Sequence, residues 1–147
     1  MLYSWLLFIH VLSLGTFLFA HGVAGGASFL LRGPVSGSSR TLLRVSQMSG
    51  IVANPAIILV LITGIWMTFA GSWQTRLWPW LALAVLLATF GSMVFVARPY
   101  YMARDAAKAG SDEEVAAKLA NTRPELAAAI GVVALVILFG LMVFKPF

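Results

Sequence analysis

Four stretches of this chain are apolar enough, and long enough, to cross a lipid bilayer, and they limit its fold more than any motif does. A hydrocarbon core of about 30 Å needs roughly 20 apolar residues in a helix. Runs at about residues 2–31, 50–70, 77–97 and 125–144 meet that requirement. Lipid offers no partner to backbone N–H and C=O groups, so each run must close its own hydrogen bonds as an α-helix. The expected fold class is all-α: a polytopic membrane protein forming a four-transmembrane-helix bundle. Composition agrees. Only 10% of the residues are charged and 61% are hydrophobic, whereas a soluble domain carries about 25% charge. The 147 residues suffice for one domain, 1–147, and no internal repeat, linker or low-complexity stretch divides it.

The breaks between spans are legible. "RGPVSGSSR" after Leu31 combines Gly, Pro and Ser and ends the first helix. That helix is about 45 Å long and must tilt or protrude. It is expected to be retained rather than cleaved as a signal peptide. It lacks a basic leader, runs on past Phe19 and shows no strong small-residue cleavage site. "AGSWQTRLWPW" is a short turn whose Trp73, Trp78 and Trp80 suit the membrane interface. "SDEE" at Ser111 and "TRPE" at Thr122 each fit a capping box. The first predicts a short cytoplasmic surface helix at about residues 112–120, the second the start of the last span.

Charge sets the expected sidedness. Eight basic residues lie in the first and third loops: Arg32, Arg40, Arg44, Arg98, Arg104, Lys108, Lys118 and Arg123. The second loop and the tail hold only Arg76 and Lys145. By the positive-inside rule the first and third loops are cytoplasmic and both termini extracytoplasmic. Topology therefore accounts for the net charge of +5, and the expected partner is the lipid bilayer, not nucleic acid. The acids Asp105, Asp112, Glu113, Glu114 and Glu125 all fall in or beside the third loop, so no span carries a carboxylate for a proton relay. With no cysteine there are no disulfides, thiolate sites or Cys nucleophile.

The polar residues that stand out are His10 and His21, the only histidines, both in the first span. Eleven helical residues leave an angular offset of about 20° and climb about 16 Å. Both imidazoles are therefore expected on one stripe facing the bundle interior. The bland account is hydrogen bonding, to a backbone carbonyl or to Gln47, Ser49, Asn54 or Thr63. The functional account is ligation, because a neutral imidazole binds iron, copper or zinc and haem in bundles is held by axial His. The separation forbids both on one iron, so each would hold its own haem or pair with a symmetry mate. Met67, Met93 and Met48 are conceivable opposing ligands, although Met in a span ordinarily packs. In the ligand account Asn54 or Thr63 accepts the other N–H and fixes the tautomer. Gly22 and Gly26, four apart with Ala24 and Gly25 between, let another helix approach. That contact is expected inside the bundle, with a dimer face or room for a flat cofactor as the alternative. Pro55 kinks the second span, and "ARPYY" anchors the end of the third.

"LLFIHVLSLGTFLFAHGVAGGASFLLR", "ITGIWMTFAGSW" and "ARPYYMAR" together resemble a bacterial family of small predicted integral membrane proteins. That resemblance implies a multi-pass protein of the bacterial inner (cytoplasmic) membrane. More distantly the layout is similar to CopD-type copper-resistance membrane domains and HemJ-type protoporphyrinogen oxidases. The latter open with a Phe-x-His helix, which His10 matches, and "NPAIILVLITGIW" matches their second-helix pattern. The resemblance implies haem b on His10. It departs at the third helix, where "WLALAV" has Ala82 and Ala84 in place of a His and a Lys, which speaks against protoporphyrinogen oxidation. Three functions follow: a b-type haem protein in electron transfer or porphyrin handling, a non-catalytic accessory subunit of a larger membrane complex, or copper handling. A homodimer is also open.

The sidedness has a direct test. A reporter that works only outside the cytoplasm, fused after Phe147, should be active. Strong signal from a cytoplasm-only reporter at that position would reverse the orientation.

Overall fold

A computed structural model of the chain describes residues 1–32 and 35–146. It contains α1 (Leu2–Leu30), α2 (Gly37–Ala70), α3 (Leu77–Ala109), α4 (Asp112–Leu119) and α5 (Pro124–Phe144). All but α4 are long and apolar enough to cross a membrane. The four long helices form two antiparallel hairpins. α1 packs against α2, α3 packs against α5, and far less joins one hairpin to the other.

Small residues draw the first hairpin together. The buried face of α1 carries Ser13, Ala20 and Ala27 at seven-residue spacing, and that of α2 carries Ser39, Ser46, Ala53 and Val60 at the same spacing. Between membrane helices apolar burial gives no driving force, so association relies on close backbone approach, which small side chains permit. Large apolar side chains such as Phe19, Ile51, Phe95 and Val136 point outward, as lipid-facing positions should.

Two helices are longer than the apolar runs within them. α2 begins at Gly37, not near residue 50, and α3 continues to Ala109, not to residue 97. Their lengths are about 51 and 50 Å, so both extend well past a hydrocarbon core of about 30 Å. Helical hydrogen bonding propagates cheaply once nucleated, and it stops at local signals, not where lipid ends. The backbone N–H of Ser36 reaches Ser39 Oγ at 3.1 Å to open α2. Gly110, at φ +85°, closes α3 in the left-handed conformation that glycine tolerates.

The extensions make a small core at the end rich in basic residues. Leu31, Leu43, Tyr100, Ala103, Val115 and Leu119 meet there, bringing together α1, α2, α3 and α4. Ser111 Oγ accepts from Glu114 N–H at 3.2 Å, so the N-cap half of the first capping box forms. The one expected at Thr122 does not. Its hydroxyl donates back to the Leu119 carbonyl at 2.6 Å. Pro124 opens α5 instead, and the Glu125 carboxylate pairs with Arg32.

The opposite end is aromatic. Trp73 and Trp78 meet edge to face at 5.7 Å, and the Lys145 ammonium lies 4.7 Å from the Trp73 ring centre. A Cβ on Gly71 would collide with the Trp73 indole, so this turn requires glycine.

Ala103 is fully buried in the basic-end core. Ala103→Leu should cost about 1–3 kcal/mol through overpacking, read as a lower thermal unfolding midpoint in detergent. The same change at exposed Ala109 should leave the midpoint unmoved.

Candidate functional site

The α1–α2 seam buries one imidazole. His10 retains 7% of its exposure. Its Nδ1 lies 2.9 Å from Thr63 Oγ1. The Thr63 hydroxyl in turn is 2.5 Å from the Leu59 carbonyl and 3.3 Å from that of Val60. A hydroxyl has a single proton to give, and the short contact directs it to Leu59. Oγ1 is then the acceptor for His10, so the imidazole carries its proton on Nδ1 and leaves Nε2 unprotonated. This assignment follows from the network.

Gly64 completes the seat. A Cβ there would lie 3.2 Å from His10 Cε1 and 3.7 Å from Nδ1. The ring therefore rests against the bare backbone of α2. No side chain hydrogen-bonds Nε2 among the described residues, and the Val60 backbone also supports the ring.

His21 does not share this setting. It is exposed, stacked on Phe17 with ring centres 5.3 Å apart and planes at 20°. The common stripe fails for a geometric reason. A seam with seven-residue spacing advances 3.5 residues per turn, so eleven residues carry His21 about 50° off it, not about 20°. Gly22 and Gly26 are exposed as well, and a Cβ on either meets nothing within 4 Å. The tight contact expected of them inside the bundle is not made among the described residues. Its small residues are Ser13, Ala20 and Ala27, which the sequence reading passed over although their even spacing was visible.

Of the two residues expected to accept the other imidazole N–H, the fold brings Thr63 to His10 and leaves Asn54 away. Asn54 is exposed, and nine residues of α2, about 13 Å of rise, separate it from Thr63. Met48 is exposed; Met67 and Met93 are partly buried. Among the described residues no three His, Cys, Asp or Glu side chains come together as a metal site would require.

A family model described as "Predicted integral membrane protein (DUF2269)" matches residues 4–146. The chain belongs to that family. As a DUF2269 protein it is an integral membrane protein, consistent with its four apolar helices. No curated protein and no solved structure matches the chain.

The Thr63 hydroxyl is the side-chain hydrogen-bond partner of His10, and the Val60 backbone also supports the ring. Thr63→Val should therefore lower stability by about 1–2 kcal/mol, whereas Thr63→Ser, which keeps the hydroxyl, should hold most of it. Equal melting midpoints for the two variants would contradict this account.

Proposed function

We propose that the protein is an integral membrane b-type haem protein in which His10 supplies an axial ligand. The observation that carries this reading is the relay His10 Nδ1–H to Thr63 Oγ1–H to the Leu59 carbonyl. An axial imidazole needs its distal nitrogen unprotonated and its other nitrogen held by a neighbour, which fixes ring orientation and raises ligand basicity. The contact of His10 with Thr63 supports this role. The donor chemistry favours haem over copper: a porphyrin supplies the equatorial nitrogens, so one protein imidazole suffices, whereas a copper site wants several soft ligands together.

Haem bound here would supply one-electron transfer. The chain's own contribution would be positional: Thr63 fixes the tautomer, Gly64 gives the ring room, and the lipid-facing shell of α1 and α2 excludes water. His21, on its Phe17 platform, would be a separate ligand site if two haems bind. The distant similarity of the first two helices to HemJ-type proteins supports the assignment of His10. Ala82 and Ala84 argue against protoporphyrinogen oxidase activity. The proposed location is the bacterial inner membrane with both termini outside the cytoplasm, on the strength of the eight basic residues in the first and third loops.

A second reading has its own observation. The face carrying His21, Gly22 and Gly26 meets no other helix among the described residues, as a subunit of a larger membrane complex or a homodimer would require. In that reading His10 serves only its hydrogen bond.

A visible spectrum after haem-replete expression separates the two. The haem reading expects a Soret band with sharp reduced α and β bands, lost or shifted in His10→Ala and shifted in Thr63→Val. A colourless wild-type protein, merely destabilised by His10→Ala, would leave the accessory subunit as the better account.

A further inference from the structure

The basic end holds a second feature, independent of His10. Between α2 and α3 lies a cavity of about 290 Å³ whose polar lining is Arg40, Arg44, Gln47, Arg104 and Lys108. No carboxylate lines it. Two of its cations are engaged by acids: Arg40 by Asp112 at 2.7 Å and Lys108 by Asp105 at 3.2 Å. Arg44 and Arg104 have no carboxylate within salt-bridge distance among the described residues.

Arg104 is held in place. Its Nη2 donates to Ser46 Oγ at 2.6 Å, and its guanidinium carbon lies 5.1 Å from the centre of the Tyr101 ring. Its Nε is sealed from solvent and has no partner. A guanidinium pinned by a neutral hydroxyl and paired with no carboxylate keeps its outer N–H groups for an anion, which they can bind with two parallel bonds. The positive-inside rule explains why this end is basic. It does not explain why Arg44 and Arg104, neither of them in a salt bridge, line one cavity from two helices beside two further cations.

The level of the cavity narrows the ligand. Exposed Met48 and Ile51 follow Gln47 on α2, and exposed Tyr101 and Met102 precede Arg104 on α3. The cations therefore stand where the apolar surface begins, at the depth of lipid headgroups.

We propose that this cavity binds a phosphate group, carried either by an acidic phospholipid headgroup or by a free phosphate anion. Arg44 and Arg104 make the principal contacts, Arg40 and Lys108 add field, and the Gln47 amide offers a neutral donor. Ser46 positions Arg104 without touching the ligand.

The test uses the full-length protein in neutral detergent. Binding of phosphatidylglycerol, phosphatidylcholine and inorganic phosphate is followed by native mass spectrometry and by the unfolding midpoint at constant ionic strength. Phosphatidylglycerol should bind and stabilise, and phosphatidylcholine should not. Arg44→Gln with Arg104→Gln should weaken that binding at least about tenfold, the scale expected when two cations beside an anionic headgroup are removed. Ser46→Ala should weaken it less, and Arg76→Gln at the far end should leave it unchanged. Phosphatidylglycerol active with inorganic phosphate inert marks a lipid site; protection by inorganic phosphate alone marks a site for free phosphate. Should the double variant fail to fold, exposed Arg44→Gln alone carries the comparison. Equal binding by wild type and the arginine variants, or no preference of the wild type for either phosphate probe over phosphatidylcholine, overturns the proposal.

Discussion

An imidazole inside a membrane span needs a polar partner, and neither lipid tails nor the satisfied backbone of its own helix can supply one. Here α2 supplies it, and the first hairpin is organised around that supply. Thr63 can reach His10 only if the two helices lie close, which depends on Ser13, Ala20 and Ala27 facing Ser46, Ala53 and Val60 along the seam. Gly64 removes the last obstacle by leaving the ring against backbone. Bulkier residues along the seam would push the helices apart and leave the imidazole N–H unpaired, at a cost comparable to a lost hydrogen bond.

The second hairpin is attached mainly at its ends. At the basic end, Leu43 of α2 and Val115 of α4 pack with Tyr100 and Ala103 of α3. Two ion pairs accompany them, Arg40 with Asp112 and Arg32 with Glu125. All four side chains are about half-exposed or more, so these pairs add direction more than stability. At the aromatic end the tether is Lys145 over the Trp73 and Trp78 rings. Between these ends the apolar faces of α3 and α5 are left largely to lipid, with only a small share of their span residues buried.

Much of this could be read from residue order, and the exceptions have physical causes. The four spans were plain because apolar length is a direct requirement of the bilayer. Their boundaries were not: composition marks where lipid contact ends, whereas Ser36 and Gly110 decide where hydrogen bonding ends. His10 was recognisable as an oddity, and Thr63 was one of several partners that only the hairpin register could choose between. His21 was misplaced because a straight helix and a seam of seven-residue period diverge over eleven residues. The phosphate cavity was hidden because the second span was expected to begin near residue 50 and the third to end near residue 97, which left its cations in loops. Once they are helical, Arg40 with Arg44 and Arg104 with Lys108 become neighbours four apart on facing stems.

The locality of the first seam bears on how such a chain is made. Both of its strips lie before Gly71, and the turn joining them is short, so closing it requires nothing translated later. Domains and helical units generally form in the order of synthesis, and local contacts close fastest. The first hairpin can therefore assemble while α3 is still in the ribosome, and His10 reaches Thr63 before Arg104 exists to meet Ser46. The basic cavity is completed only afterwards, against a hairpin that is already set.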